Sequence, residues 1–399
     1  MPNNPKLSRY VIPDMPNADE LLPYLRQIDG HLWYTNFGPL VSAFEGRLTQ
    51  HLSALEGDAS QTPILLTALM TCYHALQIGL QIMHLPLAAN VLVPAVTFPA
   101  CPLAVQHAGA KPVFADIDPE TWQLTPATAR AICAKMPIHA VMPVAVYGVP
   151  VPVGEWDRFM TDTGIPVIID AAAAFEQQAI PQTCMLAHSF HATKPFGIGE
   201  GGILVARRRD WIDEARCVSN FGTVNRISVR DGGNAKMNEY SAAVGLAQLD
   251  RWSGVKQRRR DIFQQYQQAL EDSGLDIDFQ IGVDKITVSA LMLRSAGHSA
   301  DAVVSELVAN GVAAHRMYLP PLYRHSYFAG SPVAGTEGRI LAGGSAPEQK
   351  AALMVNSESM QQSVFGLPFH AFLSPDDITE IVGHLSRILD RPVVRTAKA

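Results

Sequence analysis

Charge is scarce in this chain of 399 residues. Asp, Glu, Lys and Arg together make up 17% of it, against roughly 25% in an ordinary soluble domain. Between Ala59 and Ala110 there is no Asp, Glu, Lys or Arg at all. With 48% hydrophobic residues, the chain is too apolar to be disordered. Its formal net charge of −6 lacks the basic footprint of a general nucleic-acid binder. The uncharged run is either a membrane segment or the inside of something large. A membrane-spanning helix needs about 20 predominantly apolar residues, and none is present. The best window, Pro63 to Met83, carries Thr67, Thr71, Tyr73, His74, Gln77 and Gln81, and the next is broken by Pro86, Pro94, Pro99 and Pro102. The run therefore predicts a helix and strand buried in a large soluble core.

Cysteine is also sparse: Cys72, Cys101, Cys133, Cys184 and Cys217, an odd number with no C-x-x-C pair. This pattern argues against a disulfide framework and against a zinc site, and no metal is expected. The opening Met-Pro-Asn-Asn-Pro-Lys has no apolar h-region, which argues against a secretory signal. These features predict a cytoplasmic protein with reduced thiols.

No repeat of solenoid period and no heptad pattern is present. Short continuous apolar runs read as buried strands: Val91–Pro94, Pro112–Ala115, Ala140–Val144, Val167–Asp170, Ala187–Phe190 and Gly202–Ala206. Helix-like segments lie between them, at Thr71–Leu80, Pro99–His107, Thr125–Lys135 and Gly154–Thr163. The alternation predicts an α/β fold with a mainly parallel sheet covered by helices. The texture changes near Trp252. A charged helix (Lys256–Leu270), a strand-like segment (Lys285–Leu293) and a helix (Ala300–Asn310) follow, then a Gly/Ser/Pro-rich stretch (Gly330–Pro347) that predicts a mobile or inserted loop. A final helix, Pro375–Leu389, has Ser374 as its N-cap. We divide the chain into residues 1–250, an N-terminal segment with a large α/β domain, and residues 251–399, a small α+β domain.

In open α/β sheets ligands bind beyond the carboxyl ends of the strands. There this chain places Val96-Thr97-Phe98-Pro99, Tyr147-Gly148, Asp170 followed by four alanines, and Ser189-Phe190-His191-Ala192-Thr193-Lys194. Taken singly, Asp170 reads as a helix cap, Lys194 as a surface lysine and Phe98 as core. Taken together they form a set: an acid for a pyridinium nitrogen, a lysine for covalent attachment, hydroxyls for a phosphate and an aromatic ring for stacking. Pyridoxal phosphate requires those groups.

The sequence resembles the DegT/DnrJ/EryC1/StrS family of aminotransferases, a branch of the fold-type I pyridoxal-phosphate enzymes, over roughly Tyr34 to Leu389. The resemblance is carried by Tyr34-Thr35-Asn36-Phe37-Gly38-Pro39-Leu40, Val93–Phe98, Gly109–Pro119, Asp170-Ala171-Ala172, Ser189–Lys194, Glu200-Gly201-Gly202 and Gly233–Met237, in that order and spacing. It implies that Lys194 tethers the cofactor and shuttles the proton, Asp170 pairs with the pyridine nitrogen, Phe98 stacks on the ring and Ser189 binds the phosphate. The backbone at Cys72-Tyr73 would offer N–H groups to the phosphate. Asn234 would reach the phosphate of a neighbouring subunit, because the family's site lies at a homodimer interface. Asn36, Gly38, Arg316, Tyr318 and His325 are candidates for substrate contacts.

Two positions depart from the family pattern. Tyr73 stands where a short hydroxyl residue is usual, and Ala173 where Gln or His usually contacts the cofactor ring. Lys194 argues for transamination over dehydration, since the dehydratase branch carries His there. The implied function is transfer of an amino group from an amino acid, L-glutamate by family analogy, to a keto group of a nucleotide-linked sugar. Two alternatives stand beside it: a keto-cyclitol or other carbonyl acceptor, and a catalytically impaired ligand-binding or regulatory homologue, which Tyr73 and Ala173 motivate.

Overall fold

The computed structural model describes residues 5–57 and 62–390. The start of the uncharged run, the first four residues and the end of the 251–399 division lie outside the described residues. Helices α1 (Ala18–His31) and α2 (Pro39–Glu56) precede the first strand, β1 (Leu65–Leu69). Helices and strands then alternate: α3 (Cys72–Gln81), β2 (Asn90–Pro94), α4 (Ala100–His107), β3 (Lys111–Ala115), α5 (Pro126–Cys133), β4 (Ala140–Val141), α6 (Val153–Thr163) and β5 (Ile168–Asp170). Strands β6 (Met185–Ser189) and β7 (Gly202–Ala206) and helix α7 (Arg209–Val218) complete this layer. Most of the expected elements of this layer stand within a residue or two of where the sequence placed them. Thr71 and Thr125 cap α3 and α5 with their hydroxyls, satisfying donors that a helix start leaves unpaired.

The strands pair in the order β3-β2-β4 and β5-β6-β7-β1, and bridges at Val141–Val167 and Val144–Asp170 join the two groups. Neighbours are parallel except β7, which runs antiparallel to both β6 and β1. Regular pairing of the Ala140–Val144 run stops at Val141, and Val144 instead bridges Asp170. The uncharged run supplies strands β1 and β2 and helices α3 and α4, the two helices sharing one apolar cluster against the sheet. Helix α3 lies so close that a Cβ on Gly79 would come within 2.3 Å of Ile168 Cδ1.

A hairpin, β8 (Thr223–Val224) and β9 (Ile227–Ser228), leads into the long helix α8 (Glu239–Ser273). The Lys256–Leu270 segment is its second half, and the division at residue 250 falls inside it. Strands β10 (Ile277–Phe279) and β11 (Leu291–Ser295) follow, then α9 (Ala300–Ala309). The Lys285–Leu293 segment is a strand only from Leu291; before it lies a 3₁₀ turn at Val283–Lys285.

The Gly330–Pro347 stretch is the main correction. It is not a structureless loop: it holds β12 (Val333–Ala334) and β13 (Ile340–Leu341), and β12 pairs in parallel with β3, extending the large sheet. Val333 and Ala334 are fully buried. The Lys350 ammonium donates to the carbonyls of Ala329, Ser331 and Gly343, so this loop is tied by one buried cation. Lys350 belongs to α10 (Pro347–Leu353), followed by α11 (Val355–Ser363), β14 (Val364–Leu367) and α12 (Pro375–Leu389). Ser374 and Asp377 form a capping box on α12. The small antiparallel sheet β10-β11-β14 packs Leu291, Leu293, Phe365 and Leu367 against Ile381 and Leu385 of α12 in one apolar cluster. Among the described residues no helix is long and apolar enough to cross a membrane.

Candidate active site

One cavity of about 820 Å³ opens at the carboxyl ends of the large-sheet strands, lined by Asp170, Ser189, Lys194, Phe98, Cys72, Tyr73, Ala173, Tyr318 and His325 among others. Each residue arrives there for a local reason. Asp170 ends β5, Ser189 ends β6, and Lys194 sits in the turn that carries the chain from β6 to β7. Helix α3 points its N-terminus at the same space. It can come so near because Gly202 of β7 has no side chain: a Cβ there would meet the backbone of Thr71 and Cys72 at 2.4–2.8 Å.

Asp170 is 5% exposed. Its Oδ2 accepts from Cys101 Sγ at 2.9 Å. Its Oδ1 accepts from the Ala172 backbone N–H at 2.9 Å and from Cys72 Sγ at 3.9 Å. Thr97 Oγ1 lies 3.1 Å from Cys101 Sγ. Burial pushes the Asp170 pKa up, and the Cys101 thiol, the Ala172 N–H, the Lys194 charge and the Cys72 thiol offset only part of that rise. Burial also drives both thiols upward, so they stay protonated and serve as donors.

Lys194 faces the same cavity. Burial disfavours its ammonium, but the Tyr318 oxygen, Asp170 and Cys72 more than compensate, and its pKa is raised. The ring of Phe98, 59% exposed, forms a wall of the cavity and is tilted against Tyr318 with centroids 6.1 Å apart. Ser189 Oγ accepts from the His191 backbone N–H at 3.2 Å. At the mouth, His191 Nδ1 and Thr193 Oγ1 are 2.8 Å apart, and His191 Nε2 is 3.7 Å from Glu200.

The family model for the DegT/DnrJ/EryC1/StrS aminotransferase family matches residues 17–386. The chain belongs to this aminotransferase family. Protein Rv3402c of Mycobacterium tuberculosis is 31% identical over 94% of this chain and 88% of its own. A dTDP-4-amino-4,6-dideoxy-D-glucose transaminase of Shigella dysenteriae is 26% identical over 94% of this chain and 97% of its own. The crystal structure of a PLP-dependent aminotransferase of unproven function from Bacillus cereus superposes with a TM-score of 0.83 over 94% of this chain and 98% of that one, at 24% identity.

The aminotransferase cavity gathers some of the expected residues and not others. Lys194, Asp170, Phe98, Ser189, Cys72, Tyr73, Ala173, Tyr318 and His325 line it. Asn36, Gly38, Asn234 and Arg316 do not. The Arg316 guanidinium pairs with Asp301 of α9, while its Nε and second Nη are buried without a partner. Gly38 caps α2, and a Cβ there would come within 2.6–2.8 Å of Trp33 and Glu239. Its place in the pattern therefore has a packing cause. Asn36 is exposed with φ of 60°. Asn234 is exposed and accepts from Lys236 Nζ at 2.7 Å.

Both departures from the family pattern have visible consequences. The Tyr73 hydroxyl is bonded to His107 Nδ1 of α4, and its ring stands edge-on to His74 and His107. Ala173 brings no polar side chain to the cavity. Sequence reasoning placed Thr97 and Tyr147 beyond strand ends without giving either a role, and it did not mark Cys101 as a site residue. Cys101 could not have been found, since only the packing of α4 against β5 brings its thiol to Asp170.

Proposed function

We propose that this aminotransferase binds pyridoxal phosphate and moves an amino group from L-glutamate to a keto group of a nucleotide-linked sugar, acting as a cytoplasmic homodimer. The observation that carries the reading is the meeting of a buried carboxylate and a lysine in one cavity. The donor set fits the cofactor. The Asp170 carboxylate is nearly sealed from water with only thiol and amide donors around it, and a buried charge in that state is stabilised by a cation. The protonated pyridine nitrogen is such a cation. The exposed face of Phe98 offers a stacking surface for the ring, and Ser189 with the N-terminus of α3 offers donors for the phosphate. When bound, the cofactor supplies an electron sink for the carbanion left when the amino acid loses its α-proton.

The chain's own residues do the rest. Asp170 holds the pyridine nitrogen protonated. Lys194 would hold the cofactor and would be the group that takes and returns the proton. The nucleotide-linked acceptor is supported by the transaminase of Shigella dysenteriae, whose name carries a dTDP-linked sugar. The homodimer is supported by exposed apolar residues around Asn234. Phe221, Val224, Ile227, Val229, Tyr34 and Tyr240 are each 45% or more exposed. They are linked through the β8–β9 hairpin, the Asn220–Asn234 bridge and the stacked Tyr34–Tyr240 rings. A cluster of this kind marks an interaction surface.

The test is direct. Protein purified with pyridoxal phosphate should be yellow, and the colour should bleach on adding L-glutamate. A panel of keto-sugar nucleotides against keto-cyclitols then identifies the acceptor. Lys194→Ala should abolish turnover, a loss of at least about 10³-fold; retained turnover in that variant removes Lys194 from its role.

A further inference from the structure

Two tyrosines near Lys194 hold unusual backbone conformations. Tyr147 has φ of 56° and Tyr318 has φ of 64°, both in the left-handed region that bulky side chains seldom adopt. Such strain persists only where the surroundings enforce it, and it concentrates at functional sites. The two residues come from distant parts of the chain, one just after β4 and one from the segment that follows α9. Their rings nevertheless lie parallel, at an interplanar angle of 4° with centroids 5.2 Å apart. The Tyr147 hydroxyl donates to the Met317 carbonyl at 2.7 Å, which ties down the peptide directly before Tyr318. Phe98 closes the other side of Tyr318. So confined, Tyr318 lines the same cavity as Lys194, and its phenol oxygen favours the charged form of the Lys194 amine.

The geometry points to Tyr318 as the resting partner of the Lys194 amine whenever that amine is not bonded to the cofactor, with Tyr147 as the positioning residue that holds Tyr318 there. The inference rests on the pyridoxal-phosphate reading and deepens it. A lysine displaced from the cofactor becomes a free amine in a largely apolar cavity, and it must stay in one place to deliver its proton. A phenol fixed by stacking and by the Met317 tie gives it that place without adding a second formal charge. Other groups facing Lys194 are Asp170 and Cys72, with His191 and Glu200 nearer the mouth.

The experiment follows capture of pyridoxal phosphate by the cofactor-free enzyme. Capture needs the neutral amine. The ammonium first gives one proton to solvent; the nitrogen then adds to the aldehyde carbon, a C=N bond replaces C=O, and water leaves with the oxygen. The pH midpoint of the capture rate thus reports the Lys194 ammonium. Tyr318→Phe removes an oxygen that favours the charged form, so the midpoint should fall by about one unit. Below the midpoint, capture should then be about tenfold faster. Tyr147→Phe should shift the midpoint in the same direction by less, and adding it to Tyr318→Phe should shift it no further.

Bleaching by L-glutamate gives a second readout. In Tyr318→Phe its maximal rate should drop about tenfold or more, while the half-saturating glutamate concentration stays within about twofold. A residue that merely contacted the substrate would raise that concentration instead. Capture by the unaltered enzyme with no midpoint shift in Tyr318→Phe overturns this inference alone. An additional shift from Tyr147→Phe in the absence of the Tyr318 hydroxyl overturns the positioning role. Failure of the unaltered enzyme to capture the cofactor overturns both this inference and the pyridoxal-phosphate reading.

Discussion

His188 lies one residue before Ser189, fully buried, with its Nδ1 3.0 Å from the Ala171 carbonyl and no partner for its Nε2. Burial lowers its pKa from 6.5 to about 4. The unfolded chain therefore takes up the proton first as pH falls, and stability is lost between about pH 6.5 and 4. Full protonation of the unfolded state against a neutral native ring corresponds to about 3 kcal/mol. His188→Gln should flatten this dependence, as read from denaturant midpoints at pH 7 and 4.5; an unchanged slope would show that His188 does not set it. At this scale Asp170 and Lys194 were legible only as members of a set with Phe98 and Ser189 beyond the strand ends, because each alone reads as a cap or a surface lysine. Arg316 was not legible. An arginine in an aromatic-and-proline stretch fits a substrate contact and a salt bridge equally well, and only the packing of α9 brings Asp301 to it.

Among the elements, continuous apolar runs placed β2, β3, β5 and β7, and helix-like segments placed α3, α5 and, with its Ser374 cap, α12, to within a residue or two. The failures share one cause. Strands of two residues carry too little periodicity to be seen, and β12 and β13 owe their conformation to an edge provided by β3, far away in sequence. The glycines that suggested mobility serve close approach instead: a Cβ on Gly343 would fall within 1.9 Å of the Gly330 carbonyl oxygen. Lys350 holds this region through three carbonyls, so Lys350→Met should leave them buried without donors. We expect a loss of about 3 kcal/mol, measured as a lower denaturation midpoint, together with earlier protease cleavage between Gly330 and Pro347. An unaltered midpoint would mean that the loop is held by its strand pairing alone.

For the whole molecule, the exposed hairpin and its aromatic neighbours are the surface that the proposed dimer must cover. Ile227, 66% exposed beside the turn of that hairpin, belongs to none of the buried apolar clusters of the subunit. Ile227→Glu should therefore shift the protein from dimer to monomer in sedimentation velocity while leaving its circular dichroism unchanged. Because the site is proposed to lie at the subunit interface, the same variant should hold pyridoxal phosphate at least about tenfold more weakly. A dimer that persists with unchanged cofactor affinity places the interface elsewhere. The order of elements and the mainly parallel sheet were readable from the chain. The partner surface was not, since exposed Phe and Ile look like core residues until burial is known.

The return of β12 to the edge of the large sheet also dictates an order of assembly. The Phe114 and Asp116 amides of β3 find their acceptors only at Pro332 and Ala334. A ribosome that has synthesised the first 250 residues has made most of the large domain but not the strand that closes its edge. Until roughly ninety more residues emerge, β3 presents unmet donors of the kind that recruit foreign strands. The last third of the chain thus acts as the large domain's own edge guard, and the two halves of this enzyme are not separable products of translation.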